Sequence, residues 1–146
     1  MKINQNKQKQ LSISGIGVDI CNIRRMYEKI SSHGDKFAEK ILTSYEYSLY
    51  KDIDGRDKQA QYVAKCWAVK EAFVKAMGTG FTGDYTWNTI GYFSPRSSYT
   101  NQNRPRVQLS DAIAFGNDMK NKTIHLSVSD EVDNVIAFVT IEEERS

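Results

Sequence analysis

Residues 62–80 read YVAKCWAVKEAFVKAMGTG, and the rest of the chain must be built around this stretch. Val63, Cys66, Trp67, Phe73, Val74 and Met77 recur at helical spacing and gather on one side of a helix. Alanines and other good helix formers fill most remaining positions, and Gly78 stands where a left-handed stop belongs. One residue breaks the pattern. At a turn of about 100° per residue, Lys70 points into the middle of the apolar face, with Glu71 and Lys75 together on its rim. A lysine there must snorkel out, meet an anion or lose its proton. With a carboxylate and a second ammonium beside it, and Gly78-Thr79-Gly80 following, the arrangement suits a phosphorylated ligand better than a plain core helix.

Upstream, residues 11–20 (LSISGIGVDI) read as a strand interrupted by Gly15 and Gly17, which signal a bulge or another backbone coming close. Asp19 closes the alternation, and Asn22 is placed to cap a helix over CNIRRMYEKI. That helix turns Ile23, Met26, Tyr27 and Ile30 inward and Arg24, Arg25 and Lys29 toward water. His33-Gly34-Asp35 make a turn, and a short helix follows with Phe37, Ile41 and Leu42 inward. Thr43 and Glu46 form a capping box for SYEYSLYKD, which Asp54-Gly55 ends. Downstream of Gly80, residues 87–93, 104–109, 122–129 and 135–142 are strand-like, the last two forming a hairpin. Residues 94–103 read as a polar loop, and Ser110 caps a short helical segment. Helices early and strands mostly late predict an α+β fold, with helices packed on an antiparallel sheet.

At 146 residues the chain has the length of one domain, expected over 11–146 behind a disordered polar tail at 1–10. A net charge of +2 gives no ground for a nucleic-acid partner, and any basic surface must be local. No run approaches the roughly 18 apolar residues of a membrane span, and no signal-peptide core follows the N-terminus. Cys21 and Cys66 lack metal-ligand spacing and read as reduced thiols of a cytoplasmic protein.

Each candidate residue also has a plain reading. Asp19 can be a turn former, Glu71 and Lys75 a helix-stabilising pair, and Gly78-Thr79-Gly80 a helix stop. His33 lies in a loop, and His125 alternates with Ile124 and Leu126 on a strand. Lys70 resists such a reading. If strand 11–20 packs on the central helix, Asp19 and Glu71 meet. Two carboxylates with substrate phosphate oxygens suit Mg²⁺, and Lys70 and Lys75 then add charge for a pyrophosphate. That combination points to phosphoryl-type transfer.

Four segments carry a resemblance: GIGVDI (15–20), FAEKILTSYE (37–46), WAVKEAFVKAMGTG (67–80) and HLSVS (125–129). In order and spacing they are similar to the holo-acyl-carrier-protein synthases, small bacterial members of the 4′-phosphopantetheinyl transferase superfamily. The likeness runs from about residue 12 to 143, and W-x-x-K-E-x-x-x-K (Trp67, Lys70, Glu71, Lys75) is its most specific motif. It implies the fold of that superfamily and transfer of the 4′-phosphopantetheine arm of coenzyme A to a serine of apo acyl carrier protein. Adenosine 3′,5′-bisphosphate leaves, and the product serves fatty acid synthesis. It further implies that Asp19 and Glu71 hold Mg²⁺ on the pyrophosphate, with Lys70 and Lys75 near the phosphates. Lys75 then answers charge on the leaving group, and Glu71 helps deprotonate the serine through water. Gly78, Thr79, Gly80 and His125 match positions against coenzyme A. Homotrimers with sites between protomers are expected. Arg24, Arg25 and Lys29, followed by Lys36 and Lys40, then form a docking strip for an acidic carrier protein, with Arg25 the best match to a family arginine.

Two departures stand out. Cys66, beside Lys65, replaces an arginine frequent in relatives, and S-V-S-D ends in Asp130 where S-I-S-H is common. Both concern peripheral phosphate or adenine contacts, and neither touches the acid pair. A non-catalytic coenzyme A-binding module would explain the lysines and the glycine loop, but not two acids beside phosphates. A purely structural oligomerisation domain would explain none of them.

Overall fold

The computed structural model describes residues 8–95 and 104–145. Residues 1–7 of the tail expected at 1–10, and 96–103 of the polar loop expected at 94–103, lie outside the described residues.

The centre is a 22-residue helix, α4 (Arg56–Met77), six residues longer at its start than the motif that revealed it. Its end is a Schellman turn. Gly78 sits at φ 73°, its N–H donates to the Lys75 carbonyl at 3.1 Å, and Thr79 N–H reaches Val74 O at 3.2 Å. The helix is buried on more than one side. Val63, Cys66, Phe73 and Val74 are buried as expected, but so are Ala68, Ala72 and Ala76, which the sequence presents as mere helix-forming filler. Small side chains let a second layer come close.

That layer is an antiparallel sheet in the order β1-β5-β4, formed by β1 (Gln10–Asn22), β5 (Asn134–Arg145) and β4 (Lys122–Asp130). The first strand pairs with the last along its whole length, from Gln10 with Arg145 to Asn22 with Asn134. Gln10 therefore belongs to the strand rather than to a tail. Both meanings of the strand glycines are realised. The register shifts between Ile13 and Gly15, and a Cβ on Gly17 would lie 1.9 Å from the Ala72 carbonyl oxygen. Gly17→Ala must push β1 off α4, and a loss of about 3 kcal/mol is expected from such overpacking, read as a lower urea midpoint. A wild-type midpoint would show that the strand does not need this approach.

The sheet has two unlike faces. Gly17, Cys21, Val135, Ala137, Val139 and Ile141 are buried. On the other face Leu11, Ile16 and Ile20 of β1 are 63%, 62% and 63% exposed, beside exposed Val18, Ile136 and Phe138.

Helix α1 (Ile23–His33) starts with Asn22 Oδ1 accepting from Arg25 N–H at 3.0 Å. Met26 and Ile30 are buried and Ile23 half-buried, whereas Tyr27, expected inward, is exposed at the helix shoulder. Next come α2 (Asp35–Ile41) and α3 (Ser44–Asp52). The Thr43–Glu46 capping box closes with hydrogen bonds of 3.2 and 2.8 Å. Strands β2 (Ile90–Phe93) and β3 (Arg106–Leu109) pair in a second small sheet, followed by α5 (Asp111–Ala114). The first of these strands begins later than 87 because Thr86 and Thr89 tie a turn, with Ile90 N–H on the Thr86 carbonyl at 3.3 Å.

Candidate active site

Asp19 sits near the end of β1 and turns toward α4, because it shares the inward register of Gly17 and Cys21. Its side chain is 15% exposed. One oxygen, Oδ1, accepts from Lys75 Nζ at 3.2 Å, and the same ammonium donates to the Val18 carbonyl at 3.1 Å. The other oxygen, Oδ2, is buried with no partner among the described residues. Glu71, half-buried on α4, is near enough for the two acids to oppose each other. Burial first, and then the Asp19 charge, raise the Glu71 carboxyl above its ordinary value. Burial likewise raises Asp19, against the pull of Lys75 and Arg25. The strand and the central helix thus bring together Asp19, Glu71 and Lys75, with Arg25 of α1 beside them. Lys75 spends its hydrogen bonds on the strand rather than on Glu71 one turn back.

Two mutually repelling carboxylates with an orphaned buried oxygen are short of positive charge. No group of three or more His, Cys, Asp or Glu residues that could hold a metal occurs among the described residues. Two carboxylates, one with an unpartnered oxygen, are a donor set that fits Mg²⁺, which takes one or two carboxylates and fills its remaining positions with water and phosphate oxygens. The set does not suit Zn²⁺, which needs three or four protein ligands.

Lys70 requires a correction. It is fully buried, with Nζ donating to Glu46 Oε1 at 2.6 Å and to the carbonyls of Ile41 at 2.5 Å and Trp87 at 2.8 Å. All three of its protons are committed. Of the three fates open to a core-facing lysine it has met an anion, but that anion belongs to the protein and not to a phosphate. Glu46 does more than close its capping box: Oε1 also takes the Thr43 N–H, and Oε2 takes the Tyr92 N–H at 2.6 Å. The pair ties α2, α3, β2 and the turn at Trp87 to the central helix. A lysine inside an apolar face pointed to such an acid, but nothing in the spacing singled out Glu46.

His125 stands apart from the acid pair. It lies on the outer face of the sheet, exposed and 3.9 Å from Glu142, in register with Thr140. Asp19 lies on the inner face, so one chain does not join the two. Gly78, Thr79 and Gly80 lie just beyond Lys75 at the end of α4, with Gly78 and Gly80 both at positive φ.

The basic strip divides. Arg25 lies over the Trp67 ring at 5.4 Å and Lys29 over Phe37 at 5.4 Å, while those two rings stack at 6.3 Å. Lys29, His33, Lys36, Phe37 and Lys40 line a groove of about 570 Å³. Arg24 turns to another flank, 3.4 Å from Glu28, and lines a different groove with Asp57 and Asp133. An aromatic row, Phe37–Trp67–Trp87–Phe81, runs past the site, its last two links at 4.5 and 4.1 Å. The spacing within 62–80 revealed only Trp67, because the others come from separate segments.

Cys66 is buried and free, and so is Cys21. Burial pushes the Cys21 thiol up to about 11 and Cys66 well above its ordinary range. Iodoacetamide at pH 8 is expected to leave both intact in the folded protein and to label both in urea; labelling of the native chain would contradict this packing. Since the folded values lie above the unfolded value of 9.0, the stability these thiols support is complete below pH 9.0 and is lost as pH rises through 11. The second departure, Asp130, accepts from Gln61 at 2.6 Å and lies 3.9 Å from Lys65, joining the end of β4 to α4.

Residues 15–139 match the pattern of the 4′-phosphopantetheinyl transferase superfamily. The holo-acyl-carrier-protein synthase of Delftia acidovorans is 34% identical over 132 residues, covering 89% of this chain and 97% of that relative. That of Wolbachia pipientis is 37% identical over 130 residues, covering 88% and 97%. Among solved structures, the Neisseria meningitidis enzyme superimposes with a TM-score of 0.76 at 32% identity, over 89% of this chain and 98% of its own. The Bacillus anthracis enzyme in complex with coenzyme A gives 0.69 at 30%, over 90% and 97%. Sequence and fold agree along nearly the full length of these relatives, and this chain belongs to the 4′-phosphopantetheinyl transferase superfamily.

Proposed function

We propose that the protein is a Mg²⁺-dependent holo-acyl-carrier-protein synthase, moving 4′-phosphopantetheine from coenzyme A to a serine of apo acyl carrier protein. The observation that carries this reading is the Asp19–Glu71 pair, brought close by strand and helix, with half-exposed Lys75 bonded to Asp19. When bound there, Mg²⁺ neutralises the diphosphate oxygens and makes the phosphorus a better electrophile. Asp19 and Glu71 would supply its protein ligands. Glu71 would help deprotonate the serine through a water molecule held at the site. The serine Oγ bonds to the phosphorus of the pantetheine arm, and the bond to the adenosine 3′,5′-bisphosphate oxygen breaks. Lys75, half-exposed and reaching from the rim of α4, meets the charge that develops on that oxygen.

The groove lined by Lys29, Lys36, Phe37 and Lys40, with Arg25 above Trp67, offers charge and apolar surface together for an acidic carrier protein. Arg24, paired with Glu28, has no part in that groove. The apolar outer face of the sheet supports a homotrimer, since an exposed patch of this kind marks an interaction surface. His125 lies on the same face and would reach a coenzyme A bound by a neighbouring protomer. We assign the chain from Gln10 onward to one domain acting in the cytoplasm, in keeping with its two free thiols.

The test is a mass measurement on apo acyl carrier protein incubated with the enzyme, coenzyme A and Mg²⁺. A gain of the phosphopantetheine arm that requires Mg²⁺ is expected. An unchanged mass under these conditions would contradict the reading.

A further inference from the structure

Lys75 stands in an unusual place for a residue that meets the leaving phosphate. Its ordinary partner on a helix is the carboxylate four residues earlier, Glu71. It instead crosses to β1, donating to Asp19 Oδ1 at 3.2 Å and to the Val18 carbonyl at 3.1 Å. Packing does not force this choice, because the lysine side chain is 53% exposed whereas that of Asp19 is only 15% exposed. Asp19 with one oxygen bonded and the other orphaned has most need of a cation, and half-exposed Lys75 is the cation that bonds it.

We propose that Lys75 is a place-holder for the divalent ion: it occupies Asp19 while no diphosphate is present, and leaves when one arrives. This inference rests on the acid-pair reading of the metal site. A divalent cation at Asp19 would face the ammonium at close range, and two cations so near repel strongly where water is partly excluded. Lys75 can withdraw at low cost only if another anion receives it, and the diphosphate that brings the metal is that anion. Metal and diphosphate then load as a unit, each raising the affinity of the other by the same factor. The resting enzyme keeps Asp19 partly neutralised and collects free metal ions poorly.

The experiment measures Mn²⁺ binding by the free-ion EPR signal, with and without coenzyme A, for the wild type and for Lys75→Met and Lys75→Gln. Without coenzyme A, both variants should bind Mn²⁺ about tenfold more tightly than the wild type, a usual size for coupling between sites. Coenzyme A should tighten Mn²⁺ binding strongly in the wild type and much less in the variants. Two variants that bind Mn²⁺ no more tightly than the wild type without coenzyme A would overturn the place-holder role. Asp19→Asn in the Lys75→Met background separates the two ideas. Loss of Mn²⁺ binding there keeps the ion at Asp19. Unchanged binding would remove the metal-site reading itself, and the place-holder with it.

Discussion

Glu71→Gln is expected to remove about a thousandfold of turnover, the range seen when a positioned acid–base group is lost, while the protein folds and docks its carrier protein as before. The side chain lies half-buried at the rim of α4 and takes part in none of the side-chain hydrogen bonds among the described residues that join the elements. Its ionised form is opposed in the metal-free protein by burial and by Asp19. An acid whose folded value is raised weakens the fold as pH climbs from its unfolded value through its folded one. The neutral amide escapes that repulsion, so the metal-free variant should melt at or above the wild-type temperature. Catalytic sites commonly trade stability for function in this way. Calorimetry and a coenzyme A turnover assay read the two halves. A variant with near wild-type turnover would mean that the diphosphate and the serine are served elsewhere.

The opposite pattern is expected of Lys70→Met. Removing one partner of a buried ion pair leaves Glu46 charged, buried and short of a donor, which costs about 3–5 kcal/mol. Two backbone carbonyls, of Ile41 and Trp87, lose their donor as well. For a chain of this length the melting temperature should fall by about 10 °C, measured at fixed protein concentration so that any assembly contributes equally to both proteins. Below that transition the KM for coenzyme A should stay within about threefold of wild type, since Lys70 has no free proton for a phosphate. Intact stability with a greatly raised KM would return Lys70 to the cofactor. Adjacent residues of one motif, Lys70 and Glu71, are thus assigned to separate tasks: one fastens the scaffold and the other serves the reaction.

Much of this was legible in the residues. The α+β class, the capping box at Thr43, the turn at Gly34, the stop at Gly78 and the terminal hairpin all follow from local rules of spacing and turn chemistry, which act over a few residues. Gly15 and Gly17 announced a close approach without naming its partner. What the sequence did not disclose is long-range. The pairing of the first strand with the last joins segments more than a hundred residues apart, and no periodicity reports it. The alanine face of α4 looked like propensity until β1 was seen against it. Glu46 had already been given a full local role as a cap, which hid its second role as the counter-ion of Lys70. The placing of His125 followed the same logic: alternation gave it a face, but which face is set by the glycines of β1, two strands away. Asp19, by contrast, ends at the expected helix because those same glycines leave the room for it to do so.

The most direct test of the acid pair is anomalous diffraction from crystals grown with Mn²⁺ and coenzyme A. The account predicts a manganese peak bonded to carboxylate oxygens of both Asp19 and Glu71 and to the diphosphate, with Lys75 withdrawn from Asp19. A peak held by neither acid, with coenzyme A in place, would contradict it.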